Sequence, residues 1–124
     1  MNCPKCGSSM ESVNVEEIEV DRCAACGGLW FDMLEHQTLK TRRGSEAIDT
    51  GDPAVGRTHN QQGDITCPRC KARMVRMVDH AQPHIWYEQC STCGGAYFDA
   101  GEFKDFKQHT PADLIRRWRA GARD

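Results

Sequence analysis

The stretch CAACGGLWFD occupies residues 23–32, and CSTCGGAYFD occupies residues 90–99. The copies share both cysteines, both glycines, the phenylalanine and the aspartate, and each has an aromatic residue before the phenylalanine. Upstream of each stands another C-x-x-C pair, CPKC at 3–6 and CPRC at 67–70. All eight cysteines of the chain therefore fall into four pairs: Cys3/Cys6, Cys23/Cys26, Cys67/Cys70 and Cys90/Cys93. Sixteen residues separate the pairs of the first copy and nineteen those of the second. Two C-x-x-C pairs at such a spacing are the mark of a tetrahedral four-thiolate zinc site.

Working outward, the chain reads as two repeated units. Between the pairs, Val13, Val15, Ile18 and Val20 alternate with polar residues, as Ile85 and Tyr87 do in the second copy. Period-two alternation on both sides of a turn predicts a β-hairpin in each unit. The three extra residues of the second copy belong near 79–83, where Asp79 and Pro83 predict a longer turn. LWF (29–31) and AYF (96–98) read as short third strands. Asp32 with Glu35, and Asp99 with Glu102, have capping-box spacing and predict a short helix in each unit, with the aspartate as the cap. Gly7, Gly27 and Gly94 suit the positive φ of a metal knuckle, whereas Lys71 in place of a glycine predicts strain in its turn.

The expected architecture is a small metal-stabilised α+β chain. It has two zinc ribbons, each a β-hairpin plus a third strand around a four-cysteine site, and each followed by a short helix. The expected boundaries are a first ribbon with helix over 1–43, a flexible linker over 44–66, a second ribbon with helix over 67–109, and a C-terminal amphipathic helix over 110–124. The linker lacks apolar periodicity and carries Gly, Pro and four acidic residues, a composition that predicts mobility. Units of about forty residues rarely fold on a hydrophobic core alone and need a metal or cross-links. With a loose linker, each would fold on its own metal.

CPKCG…DRCAACGGLWFDMLE and CPRC…EQCSTCGGAYFDAGE resemble the bacterial zinc-finger family related to the transcription factor IIB zinc ribbon. The resemblance covers roughly residues 1–40 and 67–107. It implies a zinc ribbon fold, with Cys3, Cys6, Cys23 and Cys26 on one zinc and Cys67, Cys70, Cys90 and Cys93 on another. Departures from the shared pattern are Lys71 for glycine, and Leu34 where the second copy has Gly101.

Four thiolates also suit a rubredoxin-like iron site, and a C-x-x-C can be a thiol–disulfide centre. The pairing of every C-x-x-C with a second argues for structural zinc, two ions per chain. His36, His59, His80, His84 and His109 are scattered, and His36 is expected to be a half-buried helix residue in the place of Phe103. The chain shows no nucleophile–base pair and no phosphate-binding glycine loop, so no enzymatic activity and no small-molecule substrate are expected. No apolar run reaches membrane-spanning length, and no signal peptide is visible, so the expected compartment is the cytoplasm.

Residues 67–124 carry ten basic and seven acidic side chains, and residues 1–43 five and seven. Each zinc with four thiolates adds about −2, which offsets the mild basicity of the second half. The functional expectation is a non-enzymatic adaptor or regulator that binds a protein partner, within transcription. The alternatives are direct nucleic-acid binding and, more weakly, a redox- or metal-responsive switch. In the tail TPADLIRRWRAGARD (110–124), Leu114, Ile115 and Trp118 fall on one side of the expected helix and are the candidate partner-binding residues.

Overall fold

The computed structural model describes residues 1–15, 17–61, 65–79 and 82–108. The C-terminal tail, with Leu114, Ile115 and Trp118, lies outside the described residues, as do His80 and His109. The first copy contains strands β1 (Met10–Val15), β2 (Ile18–Cys23) and β3 (Leu29–Phe31), then helix α1 (Glu35–Lys40). The second contains β4 (Met74–Asp79), β5 (Gln82–Cys90) and β6 (Ala96–Phe98), then helix α3 (Glu102–Gln108). Both hairpins, both third strands and both short helices stand where the repeat places them.

The two ribbons are not separate units. Their strands form one antiparallel sheet of six strands in the order β1-β2-β3-β6-β5-β4. At its centre β3 pairs with β6, with Leu29 opposite Phe98, Trp30 opposite Tyr97 and Phe31 opposite Ala96. Trp30 and Tyr97 are equivalent residues of the two copies, 67 positions apart. Their pairing makes the centre of the sheet an approximate twofold axis.

Alternation along β3 and β6 then divides the core. Leu29, Phe31, Ala96 and Phe98 point to one face and pack with Leu39, His36, Phe103 and Phe106 of the helices. Trp30 and Tyr97 point to the other face, where they pack with Cys3, Cys23, Cys26, Cys67 and Cys90. All six residues of these two strands are buried. A sheet covered on both sides loses the polar alternation of a half-exposed strand, which is why both triplets are wholly apolar.

In the segment expected to be a flexible linker, 44–66, the described residues 44–61 and 65–66 contribute to this core. It holds a 3-10 turn (Ser45–Ile48) and helix α2 (Pro53–Asn60), which begins with Asp52 as N-cap and Pro53 at its first position. Ser45, Ile48, Asp49 and Ile65 are buried. Neither of two contributions here follows a period-two or helical pattern. Ile48 packs alone into the helix-side cluster, and Asp49 supplies hydrogen bonds rather than apolar area. Its carboxylate accepts from the backbone N–H of Gly101 at 2.8 Å and of Lys104 at 3.1 Å.

Asp49 thereby corrects the capping-box expectation. It caps α3 from 52 residues away, while Asp99 turns elsewhere. At α1 only half of the box forms. Glu35 accepts from the Asp32 backbone N–H at 2.8 Å, but among the described residues no side chain caps the helix, whose N-cap residue is Leu34 in the left-handed region at φ 64°. The equivalent Gly101 has φ 87°.

Two further expectations change. The extra residues of the second hairpin do not lengthen its turn. They are taken up within β5: Val78 of β4 pairs with Trp86 and the next residue, Asp79, with Gln82, a register shift that leaves residues 83–85 between those partners. His36, expected to be half-buried, is 1% exposed, enclosed by the rings of Phe31, Tyr87, Phe98 and Phe106. Lys71 does take up positive φ, at 64°.

Candidate metal centres

Each C-x-x-C lies in a tight turn closed by a backbone bond. Gly7 N–H donates to the Cys3 carbonyl at 2.9 Å, and Lys71 N–H to that of Cys67 at 3.0 Å. Gly27 and Gly94 bond back to Cys23 and Cys90 in the same way. The second turn of each unit also aims a backbone N–H at a sulfur. Cys26 N–H donates to Cys23 Sγ at 3.3 Å, and Cys93 N–H to Cys90 Sγ at 3.4 Å. Such bonds favour the thiolate form.

These turns gather the eight sulfurs into two groups, Cys3, Cys6, Cys23, Cys26 and Cys67, Cys70, Cys90, Cys93, within each of which all ligand atoms lie within 4.8 Å of one another. Closest pairs are Cys3–Cys26 at 3.8 Å, Cys6–Cys23 at 3.3 Å, Cys67–Cys93 at 3.7 Å and Cys70–Cys90 at 3.2 Å. Four sulfurs at about 2.3 Å from one zinc sit about 3.8 Å apart on a tetrahedron. The donor sets therefore fit zinc in size and in kind. They are far outside the bonding distance of about 2.0 Å in a disulfide. Without a metal the thiols share protons unequally. The bond from Cys26 holds Cys3 down at about 4 against the opposing effect of burial, and the same bond pushes Cys26 up. A bound cation would supplant that shared proton.

The sites are built from both ribbons, which the sequence did not reveal. Tyr97 of the second ribbon reaches across the sheet to the first site. Its hydroxyl lies 3.3 Å from Cys3 Sγ and 3.5 Å from Cys26 Sγ. Burial, with those sulfurs beside it, raises the Tyr97 pKa and keeps the hydroxyl protonated. The ring occupies the space above Gly28, where an added Cβ would stand 1.8 Å from the hydroxyl oxygen. Trp30 lies likewise over Gly95, at 2.2 Å from such a Cβ. The second glycine of each CxxCGG thus clears room for the aromatic ring of the opposite copy.

The knuckle cations and motif aspartates cross in the same way. Lys5, between the cysteines of the first pair, is bound by Asp99 at 2.7 Å and Glu88 at 2.9 Å, both from the second ribbon. It also donates to the His59 carbonyl of α2 at 2.8 Å. The Lys5 side chain is wholly buried. Burial pushes the carboxyls of Glu88 and Asp99 up, and Lys5 opposes the shift in each. Arg69, between the cysteines of the third pair, mirrors Lys5 by holding Asp32 of the first ribbon, with Nη2 at 3.2 Å from Oδ2. That pair is nearly half exposed, so it contributes little stability.

The remaining predicted residues are apart from the metal. His36 sits in the opposite core, where burial lowers it to about 4, aided by Lys40. His59 offers its carbonyl to Lys5 rather than a ring nitrogen to a metal. Glu35 and Glu102 stand at the helix starts.

A search of curated proteins and a search of solved structures found no match. A family model described as a transcription factor zinc-finger, of the TFIIB zinc-ribbon kind, matches residues 2–42 and 66–109. Those two matches take in both four-cysteine sites, each sized for one zinc. With two zinc sites per chain and most of its length matched, the chain belongs to the transcription factor zinc-finger family, as two TFIIB-type zinc ribbons in tandem.

Proposed function

We propose that the chain is a non-enzymatic adaptor, held in shape by its two zincs, that binds a protein of the transcription machinery. The observation that carries this reading is the distribution of exposed apolar and basic side chains. Strand β4 is an outer strand of the sheet. Val75, Met77 and Val78 on it are 50%, 36% and 45% exposed. Three neighbouring exposed apolar residues on an edge strand form a template for an extended segment of another protein, with main-chain bonds for affinity and side-chain contacts for selectivity.

Five of the basic side chains are used differently. Lys5 is buried against carboxylates, Arg22 is paired with Glu11, Arg69 with Asp32 and Lys107 with Glu46. Arg76 lies over the Trp86 ring and near Glu88. Phosphate recognition calls for a basic stripe turned to solvent, and cations engaged in this way are a poor source of one. The tail residues Leu114, Ile115 and Trp118 belong to this proposal as a further partner-binding element.

The test uses the zinc-loaded full chain with purified bacterial RNA polymerase, and separately with duplex DNA and single-stranded RNA at two salt concentrations. The reading expects polymerase binding that falls at least about tenfold in Val75→Lys/Met77→Lys, as for loss of a central apolar contact, and little nucleic-acid binding. Nucleic-acid binding that collapses with salt, as phosphate contacts must, without polymerase binding would transfer the function to the nucleic-acid reading. Absence of both refutes a role in transcription by either route.

A further inference from the structure

The two zinc sites have the same ligands but not the same surroundings. At the first, Cys3, Cys23 and Cys26 are buried and only Cys6 is exposed. At the second, Cys70 is exposed and Cys93 is partly so. The difference extends to the residue that lies over each site from the opposite ribbon. Over the first it is Tyr97, with its hydroxyl in reach of two sulfurs. The equivalent residue on the other side is Trp30, whose indole N–H donates to Asp32 Oδ1 at 3.2 Å instead of to a thiolate.

We propose that Tyr97 is a positioning residue for the first zinc, donating its single hydroxyl proton as a bond shared between the Cys3 and Cys26 thiolates from the other ribbon, and that the second site is consequently the exchangeable one. The donor withdraws charge from two of the four sulfurs, reducing the excess negative charge of a four-thiolate centre in a buried place. It also fixes the sulfurs that would have to swing away for the metal to leave. Tyr97 is 0% exposed, and Gly28 leaves space for it in one position, so the bond is held by packing as well as by its own strength. Among the described residues the second centre has an indole over it in place of a hydroxyl, and Trp30 gives its N–H to Asp32. Each site has one exposed sulfur, Cys6 or Cys70, but at the second Cys93 is open as well, where its counterpart Cys26 is buried, so solvent and competing ligands reach two of its sulfurs.

The second zinc is therefore the one that other thiols or chelating groups can take or deliver, while the first holds the fold.

The experiment adds one equivalent of 113Cd2+ to the two-zinc protein and follows incorporation by 113Cd NMR, with sites assigned through coupling to the cysteine β protons. Replacement of one metal by another keeps both centres filled. The expected result is that 113Cd appears first on Cys67, Cys70, Cys90 and Cys93, at least about tenfold faster than on the other set, the scale on which outer-shell hydrogen bonds act on metal sites. In Tyr97→Phe the first site should exchange about ten- to a hundredfold faster, with the second unchanged. A structural role alone would not place a through-bond coupling between the Tyr97 hydroxyl proton and 113Cd in the fully substituted wild-type protein. That spectrum decides the matter even if the variant fails to fold. Equal exchange at both sites, faster exchange at the first, or absence of the hydroxyl coupling overturns the proposal.

Discussion

His36→Phe is a perturbation whose sign and size can be worked from the structure. His36 occupies the position that Phe103 fills in the second copy, and both side chains are in the same apolar cluster. Among the described residues its Nδ1 has no hydrogen-bond partner. Burial, and then the Lys40 charge, lower it from 6.5 to about 4. The unfolded chain therefore takes up a proton as pH drops below 6.5, while the native chain resists until about 4. The stability linked to His36 is whole above pH 6.5 and is lost progressively as pH falls toward 4. Integrated from pH 7 to pH 5, the loss is about 2 kcal/mol. Phenylalanine cannot titrate, so His36→Phe should keep that increment. Urea unfolding of both proteins with excess zinc, at pH 7 and pH 5, measures the difference. Protonation of thiolates weakens zinc binding in both proteins, so it cancels to first order when the two are compared at each pH. Parallel stability losses would refute the argument, because they would mean that His36 is solvated or already charged in the native state.

Two other predictions test the contacts between the copies. Lys5→Met leaves Glu88 and Asp99 buried without their shared cation and should cost about 3–5 kcal/mol. Adding Glu88→Gln and Asp99→Asn should recover a large part of it in denaturant titrations, and a single variant no less stable than wild type would contradict the buried network. Asp49→Ala removes two acceptors from the start of α3 and should cost about 1–2 kcal/mol, with faster amide exchange at Gly101 and Lys104. Unchanged exchange at these two amides would mean that segment 44–66 is the loose linker its composition suggests.

The repeat made the metal centres and the local elements legible because both depend on short-range order. A C-x-x-C turn sets its own sulfurs, and alternating residues such as Val13, Val15, Ile18 and Val20 set their own hairpin. What remained hidden was each residue whose role is performed in the other copy. Asp32 and Asp99 have the spacing of caps, so local rules assign them to the helices beside them. In the folded chain they hold Arg69 and Lys5, and Asp49 takes over the cap at α3. Gly28 and Gly95 look like parts of the metal turns, yet their missing side chains serve Tyr97 and Trp30 across the sheet.

A duplication need not be a pair of independent units, and its exchanged contacts explain why the whole ten-residue motif recurs. Four cysteines suffice for one zinc, and a hairpin does not require the second glycine, the aromatic residue or the aspartate. An approximate twofold axis does require them, since each copy must both offer the aromatic ring and clear the place for its counterpart. The copies then diverge where symmetry no longer constrains them. Tyr97 directs a hydroxyl at sulfur, Trp30 directs its N–H to Asp32, and the ion pair is buried on one side and open on the other. Two centres with the same four-cysteine formula thereby acquire different chemical environments within one sheet.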